Sequence, residues 1–288
     1  MSLLLASVGF GLITSAVLAI AAVGFTMQFA VTDVLNLAYA GVMTAGAFTA
    51  YLVNQAGYSI WLGLLAALAA GALLSVALNY LVYAPFQRRG SAPITLVIVS
   101  LGMALIIEFG IAAVVGGVGV SYQVSQGRTY KAGGLVLTTV QLVIIAISLI
   151  VMASVAVMLR YTKLGKAMRA TAANRMLARC CGVRANRVIG ITWTITGALC
   201  GLAGTVFAID VGTFDPTSTD IFLVLILAAV FLGGPGNPYG AMLGALVIGV
   251  STEVSAAYIA ADYKYVIAFV ILLVMLALRP GGLLAAAT

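Results

Sequence analysis

Two carboxylates stand inside long apolar runs of this chain, Glu108 within 94–114 and Glu253 within 240–259. An ionisable group in a bilayer core costs at least ~2.5 kcal/mol on insertion scales, so such groups face a bundle interior or water and have work to do there. Gln28, Asp33 and Asn36 gather where the first apolar run passes into the second, and Tyr39 follows directly. Side chains of these types pair with a cation or share hydrogen bonds along a path. The same two glutamates would serve equally well as hydrogen-bonding ties between helices. Bond-breaking chemistry is not expected. The chain contains no His, which removes the commonest general base and metal ligand. HExxH and GxSxG are absent, and the serines have no base to activate them. Cys180 and Cys181 are adjacent, with no CxxC spacing or His partner, and Cys200 lies in an apolar run. They read as small apolar fillers, and no metal site is expected.

The elements that hold these groups are legible from hydropathy. Of 288 residues, 64% are hydrophobic and 7% charged, and the mean hydropathy is +1.21. A soluble domain carries roughly 25% charged residues, so this chain cannot cover itself with a solvated surface. About 20 apolar residues cross the hydrocarbon core. Apolar runs at 7–30, 38–56, 60–84, 94–114, 139–159, 189–209, 221–250 and 265–278 predict an all-α, polytopic transmembrane bundle of about eight or nine helices. The run 221–250 is interrupted by Gly233-Gly234-Pro235-Gly236-Asn237-Pro238-Tyr239-Gly240, which predicts two shorter helices or a re-entrant pair. That turn and the Asp33–Asn36 junction are the two places where a broken helix offers a dipole end to a carboxylate. Small residues at spacings of four, such as Gly240 with Gly244 and Ala241 with Ala245, predict close helix packing in lipid. The first 25 residues lack a basic leader region and read as a retained span.

Charge is concentrated in one place. Residues 160–188 hold eight of the fourteen Lys and Arg residues and no acid. By the positive-inside rule this loop is cytoplasmic, as is the turn with Arg88 and Arg89. The loop 210–220, with Asp210, Asp215 and Asp220, then falls outside, as do Lys264 and the longer loop 115–138; Arg279 returns to the cytoplasm. The net charge of +7 therefore reports topology, and no nucleic-acid partner is expected. Within the loop, Lys163, Lys166 and Arg169 recur every three residues and share one helical face, with Gly165 and Gly182 as breakers at its two ends. Met168, Met176 and Leu177 do not form one apolar stripe, so the segment suits a groove in another protein better than a flat position on membrane lipid.

The pattern TxxGxAxRAxxxNxxxAxxxGxxxxR, filled here by Thr162, Gly165, Ala167, Arg169, Ala170, Asn174, Ala178, Gly182 and Arg187, resembles the cytoplasmic loop of permeases of ABC importers for branched-chain amino acids, of the livH type. Three further regions resemble that family. They are DVLNLAYAGVMTAGAF at 33–48, with Asn36, Gly41 and Gly46; the Tyr-x-Pro, basic turn and Leu-Gly-Met stretch at 83–102; and the closing region 229–283, with its glycine turn, Glu253, Tyr263-Lys264 and Arg-Pro-x-Gly. Together they follow the family order over nearly the whole chain. Two departures stand out. Tyr39-Ala40 replaces a His-Gly pair, and Pro235 and Tyr239 interrupt the glycine turn; both put the cargo in question more than the function class.

The resemblance implies a single permease domain over 1–288 with a docking loop at 160–188. Gly165, Lys166, Ala167, Arg169, Ala170, Asn174, Ala178 and Gly182 would meet an ATPase. Asn36, Tyr39, Glu108, Glu253, Gly233, Gly234 and Gly236 are the candidates for the translocation path. The chain has no GxxxxGK[ST] of its own, so it binds no cofactor, and ATP-Mg belongs to two partner ATPase subunits. A periplasmic or extracellular binding protein and a second related permease complete the expected complex in the inner (plasma) membrane. Other amino acids, urea or short amides are alternative cargoes, and an ion-coupled secondary transporter or facilitator is the more distant alternative.

Overall fold

The computed structural model describes residues 2–124, 127–132, 135–259, 263–278 and 282–283. The helices are α1 (Ser2–Thr32), α2 (Tyr39–Gln55), α3 (Ile60–Leu78), which runs through a π-helical turn (Asn79–Tyr83) into α4 (Ala84–Arg88), α5 (Pro93–Val115), α6 (Thr139–Tyr161), α7 (Lys163–Ala173), α8 (Arg175–Cys180), α9 (Ala185–Val211), α10 (Ser218–Gly233), α11 (Pro238–Tyr258) and α12 (Lys264–Leu278). Among the described residues six helices are long and apolar enough to cross a membrane, and α10 and α12 are shorter apolar helices. The chain is a multi-pass membrane protein, and the all-α bundle expected from hydropathy is present. Arg279, whose side of the membrane was assigned above, lies outside the described residues.

Why these helices stay together follows from their small residues. Lipid removes the hydrophobic drive for helix association, leaving backbone proximity and packing. Along α3, Ala67, Gly71 and Ser75 present one flat row to Gly197 and Gly201 of α9; a Cβ on Gly71 or Gly201 would overlap the facing backbone carbonyl. Gly233 and Gly240 meet in the same way where α10 turns back into α11, and Gly244 sits against Ala229 one turn further on. α1 is the centre of the bundle. Its neighbours are α11, α9, α6 and α10, and 83% of its span is buried, against 17% for α5. α5 instead buries the single stripe Leu96, Ser100, Ala104 and Glu108.

The broken run 221–250 resolves as expected into two helices, α10 and α11, joined by a turn in which Gly234 and Gly236 both take positive φ. Four short strands were not foreseen. β1 (Val120–Ser121) pairs antiparallel with β4 (Thr213–Phe214), and β2 (Thr129–Ala132) pairs with β3 (Leu135–Thr138). Two-residue strands carry no alternating pattern that hydropathy can detect. They tie the connection after α5 to the connection after α9. Tyr122 adds a tie to α2, its hydroxyl donating to Ala47 O at 2.8 Å.

The basic connections lie together at the opposite end. Arg88 lines a cavity with Arg175 and Arg179, and Arg169 lines another with the 236–239 turn. Gly165 is a correction. It was expected to break the helix but is the third residue of α7. The break falls one turn earlier, where Thr162 caps α7 by accepting from Gly165 N at 3.0 Å. Gly165 is small for another reason: a Cβ there would overlap the carbonyls of Met158 and Leu159, on which α7 folds back.

Candidate functional site

The segment 33–38 interrupts the helix between α1 and α2, and α5 and the π-helical turn both bond its polar groups. Asp33 has φ +54°, a left-handed conformation that an acidic side chain tolerates better than most. Ser100 of α5 accepts from Leu37 N at 3.1 Å. Asn36 Oδ1 accepts from the hydroxyl of Tyr83 at 2.5 Å, and the Tyr83 ring, held in the π-helical turn, stacks on Trp193 with centroids 4.9 Å apart. Tyr39 donates from its hydroxyl to Ala21 O at 3.0 Å, and its carbonyl receives Cys200 Sγ–H at 3.1 Å. Asn36 is 2% exposed and Tyr39 1%. Both are therefore built into a network that fixes the break.

The two glutamates occupy different environments. Glu253 of α11 pairs with Lys264 at the start of α12 and also accepts from Thr14 of α1 at 2.8 Å. Asp210, at the end of α9, faces the same pair. Glu108 is 1% exposed, and no hydroxyl, amide or backbone group bonds either of its carboxylate oxygens. Its ionisable neighbour is Asp220 in the first turn of α10. Asp220 is next in sequence to Thr219, whose hydroxyl lies 2.5 Å from that of Thr44 on α2. Asp215, in the connection before α10, is outside the spans. Burial opposes its charge, but Thr217 N and Oγ1 both donate to it at 2.8 Å, and the net effect holds its carboxyl below the usual range.

The glycine turn and the basic loop meet. A cavity of about 350 Å³ is bounded by Met27 and Val31 of α1, Leu159 of α6, Met168 and Arg169 of α7, and Gly236 of the turn. Gly233 and Gly234, at the end of α10, do not line it. Arg169 donates to Leu159 O, so the last turn of α6, whose carbonyls lack helical partners, is closed by a side chain of α7. Asn174 breaks the helix and caps α8 by accepting from Leu177 N at 2.9 Å. Gly182, at φ +82°, ends it. Ala178 is buried and Ala167 partly so, while Lys166, Ala170, Met176 and Leu177 are exposed. Met176 and Leu177 reach 76% and 63% exposure, an apolar pair left uncovered on a basic surface. A second cavity, of about 380 Å³, is lined by Arg88, Arg175, Arg179 and Asn186 with no acid in its wall. Burial and the neighbouring Arg179 both disfavour charge on Arg175, and Arg175 Nε is buried without a partner.

Residues 7–276 match the family described as the branched-chain amino acid transport system / permease component. The chain belongs to that family. Among named relatives, this permease chain is 26% identical to the high-affinity branched-chain amino acid transport system permease protein LivH of Escherichia coli K12, over 92% of this chain and 90% of that one. It is 28% identical to the corresponding BraD of Pseudomonas aeruginosa, over 95% and 93%, and 27% identical to LivM of Escherichia coli K12, over 91% and 66%. Among solved structures, PsaBC from Streptococcus pneumoniae in complex with Fab matches with a TM-score of 0.52 at 13% identity, over 93% of this chain and 90% of that one; at that identity the likeness is one of fold.

Of the residues singled out in the permease sequence, the structure brings Arg169 and Gly236 to one cavity and gathers those expected to meet an ATPase on α7, α8 and the turn that follows. It keeps Glu108 and Glu253 apart: Glu253 is bonded to Lys264 and Thr14, whereas Glu108 has only Asp220 beside it. Sequence reasoning missed Tyr83 as the partner of Asn36 and Asp220 as the neighbour of Glu108, together with Ser100, which holds the 33–38 break, and Thr44, which bonds Thr219. One signal was available for Ser100: it shares with Glu108 the every-fourth-residue stripe of α5, so the two had to face the same way.

Proposed function

We propose that this chain is a permease subunit of an ATP-driven importer of the inner (plasma) membrane, carrying branched-chain amino acids received from a periplasmic or extracellular binding protein. The match to the permease family over residues 7–276 carries this reading. Relatives named LivH and LivM both resemble the chain, which supports a second, related permease beside it. Two ATPase subunits, holding ATP-Mg, dock on the cytoplasmic face of the pair. The chain's own surface is α7–α8: exposed Met176 and Leu177 supply an apolar contact, and the Arg-lined cavity takes acidic groups of the partner.

The mechanism follows from how α7 is attached. Closure of the ATPases displaces α7, which is joined to α6 through Thr162 and Arg169 and borders α1 and the 234–237 turn across the cavity. Motion is thus delivered to α6, α1 and the α10–α11 hairpin together. Rigid-body rocking of such groups against the rest of the bundle exchanges inward and outward access. Small-residue seams permit this because flat backbone surfaces slide without side chains having to unlock.

The test is affinity purification of the tagged chain from its native membrane in mild detergent, with mass spectrometry of what is retained. Recovery of P-loop ATPases and a second permease is expected. A homo-oligomer without ATPases, reproduced under crosslinking, would overturn the importer reading and leave the ion-coupled or facilitator class.

A further inference from the structure

We propose that Glu108 and Asp220 together seat the ammonium group of the cargo. The proposal rests on the importer reading above and adds to it the atoms that hold the amino acid.

The register of the helices places the pair. α2 and α5 run in the same direction, with Leu37 N on Ser100, Gly41 against Ala104 and Ile107, and Tyr122 joining Ala47 to the end beyond α5. One turn past Gly41 and Ala104 come Thr44 and Glu108, at the same level. The first turn of α10 abuts α2 there: Thr219 donates to Ala40 O at 3.2 Å, and Thr44 donates to Pro216 O at 3.2 Å. Asp220 is thereby set against Glu108 in the space bounded by α2, α5 and α10.

What this arrangement lacks is a cation. α2, α5 and α10 contain no Lys or Arg, and neither do the connections 116–124 and 212–217. Glu108 is 1% exposed, yet no hydroxyl, amide or backbone group bonds either of its oxygens, and the one polar group beside it is the second acid, Asp220. A buried polar group without a partner is destabilising, and more so when charged. Two carboxylates side by side cannot both ionise unless a positive charge joins them. A helix tie would have been satisfied by a neighbouring hydroxyl or carbonyl, as Ser148 is by Ala16 O at 2.7 Å. Among the described residues there is no group of three or more His, Cys, Asp or Glu side chains that would suit a metal ion. A primary ammonium, with three N–H donors, matches two carboxyl groups.

The site is placed to receive. Glu108 lies seven residues from the end of α5, about 10 Å at 1.5 Å per residue. That end is tied to the β1–β4 pairing, on the side away from the basic loop. α5 packs on α2 and has no extensive seam with α10, so separation of α5 from α10 opens the pair.

The experiment uses the complete complex, both permeases, ATPases and binding protein, in proteoliposomes, with radiolabelled leucine as the probe. Glu108→Gln and Asp220→Asn keep shape and remove charge. Each is expected to lower leucine uptake at least tenfold while ATP hydrolysis stimulated by the binding protein persists, and the double variant is expected to be little worse than either single one. Uptake within twofold of wild type in either neutral variant would overturn the site. If Glu108→Gln fails to assemble, Asp220→Asn decides alone, because Asp220 is partly exposed at a helix start. Absence of leucine, isoleucine and valine uptake in the wild-type complex would instead sink the importer reading, a separate outcome.

Discussion

Lys264 Nζ and Thr14 Oγ1 both reach the same oxygen of Glu253, Oε1, and so join α12, α1 and α11 at one point. The acid that the sequence left between cargo and scaffold has its bonds within the protein. Glu253→Gln should therefore leave leucine uptake within about twofold of wild type. With side-chain exposures of 24% for Lys264 and 17% for Glu253, the pair lies between surface and interior. A Glu253→Gln/Lys264→Met double-mutant cycle should return a coupling near 1 kcal/mol, read from unfolding in detergent. A coupling of zero would remove the tie.

The α3–α9 seam should be the least tolerant part of the bundle. Gly201→Leu puts a side chain where the Ala67 carbonyl already sits, and overpacking of this kind costs about 1–3 kcal/mol or more. The variant is expected to insert but to lose monodispersity and thermal stability in size-exclusion and melting assays. Gly102→Leu, at a glycine with open space around it, is the matched control and should behave as wild type.

Gly165→Val should uncouple the motor from the path. The branched side chain would force α7 off the end of α6, so uptake should fall below a tenth of wild type while membrane insertion is unchanged. Arg169→Glu removes the donor to Leu159 O and reverses its charge, and should act the same way. Normal uptake in either variant would show that α7 transmits nothing.

The bond between Tyr83 and Asn36 can be weighed by itself. Tyr83→Phe leaves Asn36 Oδ1 without its donor in a buried site, a loss of about 1–3 kcal/mol expected as a lower melting temperature. Tyr83→Phe/Asn36→Leu should recover part of it, since no orphaned polar atom then remains; a further drop of the same size would mean the two act independently.

Asp215 predicts the response to acid. Its folded carboxyl lies below the ordinary value, so the stability it contributes is present above about pH 4 and is lost as pH falls through the folded value. Melting temperature near pH 3 should fall less in Asp215→Asn than in wild type relative to each protein's value at pH 7. An equal fall would show that the Thr217 bonds carry no stability.

Fold class was legible because it rests on local quantities. Apolar length, the 160–188 cluster of cations and the glycine turn each reside in a contiguous stretch, and water, lipid and the backbone's hydrogen-bonding needs act on such stretches directly. The resemblance to one permease family was legible for the same reason. The strands Val120–Ser121 and Thr213–Phe214 were not, being two residues each and joined across more than ninety positions. Gly165 was misread because a breaker and a close-contact glycine look alike until the turn that crowds it is known.

By itself, then, the sequence determined a multi-pass helical bundle of a known permease class, a basic loop between its spans, and seven candidates for the path. Tertiary structure decided what those candidates touch. It gave Glu253 a lysine and a threonine, Asn36 a tyrosine, and Glu108 nothing but another acid. Such pairings join residues up to 239 positions apart, and the energy of a buried charge depends on which groups surround it, something no local pattern specifies.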